Sequence, residues 1–437
     1  MTSLRDPGPA RTSKLSLAEI LEILTASGDL PLRFTAYDGS SAGPEDAQLG
    51  LNLLTPRGTT YLATAPGDLG LARAYIGGDL DAIGIHPGDP YDLLAALHAK
   101  LSFKLPPARL VASIIRSIGL EHFKPIAPPP QEALPRWRRA VEGLRHSKTR
   151  DAEAIHHHYD VSNTFYRWVL GPSMTYTCAC YTDAANSLEE AQDNKYRLVF
   201  EKLRLKPGDR LLDVGCGWGA MVRYAARHGV RATGVTLSAE QAAWAQRAII
   251  DEGLSDLAEV RHSDYRDVAE SEFDAVSSIG LTEHIGVDQY PAYFEFLQSK
   301  MRTGALLLNH CITRPDNKSG HTAGGFIDRY VFPDGELASS GRLITEAQDV
   351  GLEVVHEENL RHHYALTLRD WCANLVEHWD EAVAEVGLPT AKVWGLYMAG
   401  SRLGFESNVV QLHQILAVKL DEKGADGGLP LRPWWSA

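Results

Sequence analysis

The pattern of apolar and polar positions becomes regular in the second half of the chain. From position 210 onward, short apolar runs typical of buried strands alternate with amphipathic stretches at helical spacing. The predicted strands are Arg210–Val214, Arg231–Leu237, Ala258–His262, Phe273–Ile279 and Ala305–Cys311. The predicted helices are Gly219–His228, Ala239–Glu252 and Tyr290–Met301. This alternation predicts an open, doubly wound α/β sheet, which binds ligands beyond the carboxyl ends of its strands where the strand order reverses.

The first part of the chain has shorter and more mixed elements. Its predicted helices are Leu15–Leu30, Leu69–Tyr75, Tyr91–His98 and Leu110–Ile118. Its predicted strands are Leu32–Tyr37, Leu49–Leu54 and Thr59–Ala63. Prolines at 128–130 and 135 interrupt the chain. We therefore predict a smaller α+β domain and linker over residues 1–140 and a catalytic domain over residues 141–437.

Composition narrows the class of protein. The 437 residues are 44% hydrophobic and 23% charged, which is typical of a soluble globular protein of two or three domains. Five cysteines without a CxxC pair predict neither a disulfide framework nor a structural zinc site. No run of eighteen apolar residues and no signal-peptide pattern occurs, so we expect a cytoplasmic enzyme.

The charge is distributed unevenly along the chain. Residues 100–150 contain eleven Lys or Arg against three Glu, a balance of +8, and the rest carries −21 to make the total of −13. Such asymmetry indicates contact with nucleic acid or a membrane surface, or else a solvated basic face. Leu110–Ile118 within this segment predicts a basic amphipathic helix.

A glycine-rich turn follows the first strand of the α/β half. It reads Leu-Leu-Asp-Val-Gly-Cys-Gly-Trp-Gly over residues 211–219. A dinucleotide site would require G-x-G-x-x-G and an acidic residue about 20 positions later. Ala220 and the acid-free end of the next strand break both requirements. Asp213 with the glycines is similar instead to motif I of class I S-adenosylmethionine (SAM) methyltransferases, although Asp213 could also be a simple turn former.

Nine stretches along the chain, including this glycine turn, together resemble one family. It comprises the cyclopropane fatty acid synthases and their mycolic acid methyltransferase relatives. The matching stretches are His158–Asp160 with Asn163 and Phe165–Tyr166, Met174–Ala179, Asp213–Gly219, Gly234–Gln241, Asp264–Asp267, Ser278–Gly280 with Glu283–Gly286, His310–Ile312, Tyr330–Gly335, and His363–Tyr364 with Thr367–Leu368. The resemblance covers about residues 150–420, and the long N-terminal part resembles the bacterial synthases that act on phospholipids. It implies a Rossmann-like class I SAM methyltransferase sheet with an additional smaller N-terminal α+β domain.

The resemblance also implies a set of SAM-binding residues. They are Tyr176, Thr177, Asp213, Gly215, Gly217, Gly219, Thr236, Gln241, Asp264 and Tyr265. In the family pattern the glycines cradle the methionine part, and the threonine and glutamine bind the ribose hydroxyls. The aspartate and tyrosine at the end of the set border the adenine. The first tyrosine and threonine close over the sulfonium.

The resemblance implies a second set of residues, which hold a bicarbonate ion as a base. This cage maps onto Cys178, Glu283, His310, the backbone of Ile312 and Tyr364. An alkene that attacks the SAM methyl leaves a carbocation, so the enzyme must exclude water and remove a proton. A carboxylate beside an anion is repulsive, so Glu283 or the bicarbonate must carry a shared proton.

Several features bear on product and substrate. Aromatic faces stabilise cations, and the candidates for this role are Tyr181, Tyr330 and Tyr364. Many family members have Phe where this chain has Thr282, a position expected beside the methyl-transfer site. The product is therefore left open between a cyclopropane and a methylene branch, and the methylene branch would need a separate reductase. His156–His158 are consecutive and would not share a helix face, so no metal site is predicted.

The leading hypothesis is an enzyme that adds a one-carbon unit to the cis double bond of unsaturated phospholipid acyl chains. SAM is the methyl donor and bicarbonate the base. We expect peripheral association with the inner membrane surface and no nucleic acid partner, and the oligomeric state stays open, with a homodimer as one possibility. Two alternatives stay open, which are a conventional O- or N-methyltransferase of a small molecule and a non-catalytic SAM- or lipid-binding protein.

Overall fold

The chain divides into two compact units, Met1–Pro130 and Gln131–Ala437, in a computed structural model. The structure describes residues 14–25, 30–100, 106–133, 162–318, 320, 324–333 and 335–435. Most of the basic segment after position 133 and the His156–His158 triplet therefore lie outside the described residues.

The first unit contains a small mixed sheet and short helices. Its described strands are β1 (Arg33–Ala36), β2 (Ser41–Ala42), β3 (Gly50–Leu53) and β4 (Leu80–Ile83). Its described helices are α1 (Leu17–Leu24), α2 (Pro56–Thr64), α3 (Asp68–Ile76), α4 (Tyr91–Lys100) and α5 (Ala108–Ile118), followed by a 3₁₀ turn over Leu120–Phe123. The strand order is β2-β1-β3-β4, with β1 and β3 parallel and the outer pairs antiparallel.

One predicted strand of this unit is wrong. Thr59–Ala63 lies within α2. Thr55 caps this helix by accepting a hydrogen bond from the Gly58 N–H at 3.3 Å, and Pro56 occupies the first turn. The cap and the buried helix face outweigh the strand preference of the β-branched threonines.

The second unit is built on a seven-stranded sheet within the described residues, in the order β10-β11-β9-β8-β5-β6-β7. These strands are β5 (Arg210–Val214), β6 (Arg231–Thr236), β7 (Ala258–His262), β8 (Phe273–Ile279), β9 (Met301–Thr313), β10 (Leu352–Asn359) and β11 (Gln411–Lys419). Strands β5 to β9 are parallel, and β11 is antiparallel to both β9 and β10. The predicted α/β fold is confirmed.

Helices cover both faces of this sheet. The described α-helices are α6 (Asn163–Leu170), α7 (Leu188–Lys202), α8 (Ala220–Arg227), α9 (Ala239–Asp251), α10 (Thr282–Ile285), α11 (Tyr290–Lys300), α12 (Ser340–Asp349), α13 (Arg361–Glu377), α14 (Trp379–Val386) and α15 (Leu388–Glu406). Short 3₁₀ turns cover Tyr265–Asp267 and Val287–Gln289, and a π-helical turn covers Ile327–Val331. Two buried apolar clusters hold the unit together, and each includes residues from the central strands and from the helices packed on them.

The strand order reverses between β5 and β8. From β5 the chain proceeds outward through β6 and β7, whereas β8 and β9 lie on the other side. The loops at the carboxyl ends of β5 and β8 therefore diverge and leave a crevice between them. This crevice is where the motif residues collect.

Candidate active site

The glycine turn after β5 forms one wall of an open cleft. The N–H groups of Gly215 and Cys216 both donate to the Val235 carbonyl at 3.0 Å, which ties the turn to the end of β6. Gly217 has φ +54°, and a Cβ added to it would meet no protein atom within 4 Å. It also lines the cleft, so its missing side chain leaves space for a ligand.

The other two motif glycines are constrained by protein packing. A Cβ on Gly215 would lie 2.9 Å from Leu281 Cβ. A Cβ on Gly219 would lie 3.0 Å from Val260 Cγ2 and 3.1 Å from Ala245 Cβ. Gly215 lines the cleft, whereas Gly219 lies at the start of α8 outside the lining. The three glycines therefore have different structural roles.

Asp213 ends β5 beneath the cleft. It is 3% exposed, and its Oδ1 accepts a hydrogen bond from the Ser277 hydroxyl at 2.6 Å. Burial raises the pKa of this carboxyl to about 6. The Ser277 bond links the carboxyl ends of β5 and β8, so Asp213 supports the floor of the crevice.

The predicted ribose residues meet at the end of β6. The Thr236 hydroxyl donates to Gln241 Oε1 at 2.9 Å, and both residues line the cleft. Ser238 caps α9 by accepting from the Gln241 N–H, which places the glutamine in the first turn of that helix. The pair presents neutral hydrogen-bonding groups where a dinucleotide fold would present an acid.

Of the two residues predicted to border the adenine, Tyr265 lines the cleft and Asp264 does not. Tyr265 lines the cleft, and its ring packs edge-on against Phe296 at 5.0 Å. Asp264 is buried and lies outside the lining, with its carboxylate bound by the Arg266 guanidinium at 2.7 Å. Arg266 lines the cleft in its place.

Tyr176 and Thr177 form the opposite wall, together with a lysine that the motifs did not indicate. Lys195 on α7 is 1% exposed, lines the cleft, and donates to the Thr177 hydroxyl at 2.6 Å. Burial lowers the pKa of its ammonium to about 8, although Asp213 and two nearby thiols oppose this effect. Lys195 is the main cationic addition to the predicted site.

Two members of the predicted cage are joined directly. Glu283 on α10 accepts the Ile312 N–H through its Oε1 at 2.7 Å, which ties the loop after β8 to β9. Glu283 Oε2 and His310 Nε2 are buried and have no hydrogen-bond partner among the described residues. Such unpartnered buried atoms are uncommon in native proteins, and a bound water molecule or ion commonly completes their hydrogen bonding.

Cys178 and Tyr364 meet at a different point, the start of α13. The Cys178 thiol lies 3.9 Å from the Leu360 carbonyl, which also accepts the Tyr364 N–H at 3.2 Å. The Leu360 N–H donates in turn to the Leu412 carbonyl, and Leu412 is paired with Ile312 across β11 and β9. Backbone contacts therefore connect this pair to the Glu283 side of the predicted cage.

Burial keeps the predicted cage close to neutral. It raises the pKa of Glu283 to about 7, while the Ile312 N–H bond opposes the shift. It also holds the pKa of the Cys178 thiol well above, and that of the His310 imidazole well below, its usual range. Lys195 lowers both the thiol and the imidazole pKa, so it lies within electrostatic range of both groups. A protonated carboxyl and a neutral imidazole can both donate hydrogen bonds to an anion.

The raised pKa of Glu283 predicts a pH-dependent stability difference. The neutral carboxyl is favoured in the folded state, so its contribution is full below pH 4.5 and is lost as the pH rises through about 7. We expect Glu283→Gln to unfold like the wild type near pH 4.5 and to be more stable by up to about 3 kcal/mol above pH 7. Urea unfolding across this range measures the difference. Glu295→Gln, at an exposed position on α11, is the matched control for the loss of one surface carboxylate. A stability difference between Glu283→Gln and the wild type that does not change with pH would contradict a buried carboxyl.

The aromatic side chains around Tyr176 form a continuous group. Tyr176 packs 5.4 Å from Trp371 and 5.8 Å from Trp394, and its hydroxyl donates to Tyr397 at 2.9 Å. The two tryptophans belong to helices far along the chain and to none of the motifs, so the sequence gives no signal for their position here. The group provides π-faces beside the cleft wall.

The three predicted aromatic candidates have other contacts. The Tyr181 hydroxyl donates to Asp370 at 2.7 Å, and Tyr181 is not among the cleft-lining residues. The Tyr330 hydroxyl donates to Glu132 at 3.1 Å. The Tyr364 ring stacks on Phe405 at 4.6 Å. The contacts of Tyr176 place more aromatic surface at the cleft than these three do.

Thr282, the residue expected beside the methyl-transfer site, is not among the residues that line the cleft. Thr282 is 1% exposed, and its hydroxyl donates to Asn309 Oδ1 at 2.8 Å. Leu281, one residue earlier, lines the cleft and contacts the turn at Gly215. Of these two neighbouring residues, it is therefore Leu281 and not Thr282 that lines the cleft.

The described ranges contain neither a candidate metal-binding cluster nor a helix able to span a membrane. Within them, no group of three or more His, Cys, Asp or Glu side chains is arranged to hold a metal ion. None of the helices in the same ranges has the length and apolar character needed to cross a bilayer.

Comparison with known proteins identifies the relatives of this site. The family model described as mycolic acid cyclopropane synthetase matches residues 146–415. A probable fatty acid methyltransferase of Mycobacterium tuberculosis is 74% identical over 424 residues, which cover 97% of this chain and 99% of the relative. The tuberculostearic acid methyltransferase of the same organism is 29% identical over 93% of this chain and 92% of its own length.

A solved structure resembles the catalytic unit. Mycolic acid cyclopropane synthase CmaA1, in complex with SAH and CTAB, is 31% identical with a TM-score of 0.58. The match covers 61% of this chain and 98% of that protein. The resemblance inferred from the motifs is thus confirmed, and with it the α/β SAM methyltransferase fold and SAM as methyl donor. The chain belongs to the mycolic acid cyclopropane synthetase family and is a SAM-dependent methyltransferase that acts on lipids.

Proposed function

We propose that this enzyme transfers the SAM methyl group to the cis double bond of an unsaturated acyl chain in a phospholipid, with bicarbonate as the base. The product is a cyclopropane or a mid-chain methylene branch. The observation that carries the proposal is the pair of unpartnered buried atoms, Glu283 Oε2 and His310 Nε2. A lone-pair nucleophile such as an amine needs no separate anionic base, so this pair favours an alkene substrate over the O- or N-methyltransferase alternative.

The residues present fit a small oxyanion. Glu283 with a pKa of about 7 can carry a proton, and His310 is neutral because burial lowers its pKa. A planar anion that accepts hydrogen bonds would satisfy both orphaned atoms, whereas a second carboxylate of the protein would be costly to bury there. When bound, bicarbonate would supply an oxygen base for the proton released from the methylated chain.

The protein's own groups would prepare the reaction in three ways. The glycine turn and the Thr236–Gln241 pair would hold SAM in one orientation, and such alignment can lower a barrier by about 7–11 kcal/mol. The aromatic group around Tyr176 would exclude water and face the developing cation. Glu283 and His310 would fix the base through hydrogen bonds. Relatives named for fatty acid methylation support an acyl chain as the substrate.

Mass spectrometry of the lipid product tests the proposal. Enzyme, unsaturated phospholipid vesicles and SAM with a trideuterated methyl group are incubated, and the acyl chains are analysed by gas chromatography. We expect one added carbon that retains two of its three deuterium atoms, because one leaves as the methyl proton is removed. Retention of all three, or labelled head groups, would support a conventional methyltransferase instead. Unlabelled lipid despite SAM binding would support a non-catalytic protein.

We also propose that the first unit binds an anionic membrane surface. The turn after α5 exposes three apolar side chains, and Leu120 is 71% exposed. Arg109, Arg116 and Lys124 are exposed on the same short stretch. Apolar side chains beside cations are typical of segments that bind the interface of anionic bilayers.

Charge removal should weaken this binding. Replacing Arg109, Arg116 and Lys124 by Gln should reduce affinity for vesicles containing anionic phospholipid by roughly tenfold at low salt, and less at 1 M salt. Vesicle co-sedimentation measures this. A matched triple Gln variant at Lys206, Arg231 and Arg247, which are exposed in the catalytic unit, should bind vesicles as the wild type does. If both triple variants lose the same vesicle affinity, the loss reflects net charge and not a membrane-binding surface on the first unit.

A further inference from the structure

A row of three polar side chains, two of them buried, crosses the antiparallel edge of the catalytic sheet. Glu358 on β10 is paired with Gln414 on β11, and Gln414 is paired with His310 on β9. Directly opposed residues on neighbouring strands share one face of the sheet, so these three side chains are adjacent. Gln414 and His310 are each 1% exposed. Such a row in a sheet interior is costly unless its members are hydrogen-bonded to one another.

Lys202 on α7 covers this row and determines which way the Gln414 amide points. Its side chain is fully buried, forms an ion pair with Glu358, and donates to Gln414 Oε1 at 2.6 Å. An ammonium group can only donate hydrogen bonds, so the amide oxygen must face Lys202. The amide nitrogen therefore faces the other way, where Gln414 Nε2 lies 3.2 Å from His310 Nδ1.

This orientation determines the tautomer of His310. The Gln414 amide nitrogen is a donor, so His310 Nδ1 must accept and can carry no proton. In a neutral imidazole the proton then resides on Nε2. Nε2 is the buried atom of His310 that has no partner among the described residues. The row thus presents an N–H donor at the predicted cage.

We propose that Lys202 and Gln414 are positioning residues that hold His310 as its Nε2–H tautomer, so that its N–H is available to an anion beside Glu283. The anion itself rests on the function proposed above, whereas the tautomer does not. Neither residue would touch the reacting atoms. Their effect reaches the chemistry through the imidazole, as outer hydrogen bonds orient ligating histidines in other sites.

The ion pair with Glu358 explains how a lysine is tolerated at this depth. Glu358 has 35% of its side chain exposed, whereas the Lys202 side chain is fully buried, so the pair bridges the interior and the surface. Lys202 also lies 5.2 Å above the Trp435 ring. These contacts compensate for the desolvation of the Lys202 ammonium. Lys202 also fixes the orientation of the Gln414 amide, and that amide in turn orients His310.

Nitrogen NMR of protein labelled with ¹⁵N-histidine tests the tautomer directly. The His310 signals are assigned by their loss in His310→Gln. In the wild type we expect a protonated Nε2 and an unprotonated Nδ1. In Gln414→Glu, which has nearly the same shape but presents carboxylate oxygens, Nδ1 should gain a proton. Gln192→Leu removes another buried amide, at a residue 1% exposed and bonded to the Leu170 carbonyl, and should leave the His310 signals unchanged.

A bicarbonate titration adds a functional measurement. In Gln414→Leu, the bicarbonate concentration for half-maximal turnover should rise about tenfold, because the donor to the anion is no longer held in place, while KM for SAM stays the same. A protonated Nδ1 in the wild type, or an unprotonated Nδ1 in Gln414→Glu, would overturn the inference. If the tautomers are as expected but the wild type does not respond to bicarbonate, the proposed base fails and the positioning role stands.

Discussion

Replacing Glu283 by Gln is expected to lower turnover by about 10²–10⁴-fold while leaving SAM affinity nearly unchanged. That range is the usual contribution of a positioned acid or base. Glu283 accepts the Ile312 N–H at 2.7 Å through one oxygen and leaves the other buried and unpartnered. Gln keeps the shape but cannot share or release a proton. The loss is felt mainly in the transition state, so kcat and kcat/KM should fall together.

Two further measurements separate this effect from misfolding. Glu346→Gln changes a buried glutamate that pairs with Arg342 on α12, away from the cleft, and should retain near-wild-type turnover. Added bicarbonate should stimulate dialysed wild-type enzyme more than Glu283→Gln, because the variant lacks one of the groups that would hold the ion. Full activity of Glu283→Gln with an unaltered bicarbonate response would place the base elsewhere.

A methyl group at Gly217 should reduce SAM affinity by at least about tenfold. Its Cβ would enter the cleft, where no protein atom lies within 4 Å, and would occupy space left for the ligand. The positive φ of +54° adds a conformational cost of about 1–2 kcal/mol that any L side chain bears. Isothermal titration calorimetry of Gly217→Ala with SAM measures the affinity, and thermal unfolding measures the conformational cost.

Two glycines provide controls for this experiment. Gly253 has φ +69° with nothing within 4 Å of an added Cβ, and it is exposed outside the cleft lining. Gly253→Ala should therefore lose similar stability and keep its SAM affinity. Gly219→Ala should lose more stability, since its Cβ would crowd Val260 and Ala245. Unchanged SAM affinity in Gly217→Ala would show that the ligand does not follow the glycine turn.

The parallel core of the catalytic unit was predictable because local signals agree with the fold there. The boundaries of β5, β7 and β8 are as predicted, since each apolar run is bounded by turn residues. The predicted strand Thr59–Ala63 is wrong because the Thr55 cap and Pro56 start a helix there. These helix-start signals outweigh the strand preference of the two threonines. Long-range pairing decides the placement of β11, and no local pattern predicts that it lies between β9 and β10.

Only those residues of the candidate site that belong to sequence motifs were predictable. The resemblance led to Glu283 and His310, but Gln414 is 104 residues from His310 and reaches it only because β11 pairs with β9. A usable signal existed for the lysines of α7. Lys195 and Lys202 are seven residues apart and lie on the same helix face as Leu188 and Val199, which are buried. A lysine at an apolar-face position indicates a buried partner, although it does not identify that partner.

The late position of β11 in the chain has a consequence for how the enzyme is made. All but one of the residues that line the cleft lie between positions 174 and 285, and they leave the ribosome well before residues 411–419. Strand β9 cannot complete its sheet, and His310 cannot acquire Gln414, until β11 inserts between β9 and β10. Pairings this distant in sequence form late, because loop closure must precede them. If the cleft binds SAM and Gln414 positions His310 as proposed above, a nascent chain would bind its methyl donor first, and reactivity would begin only when the last strand of the described sheet is in place.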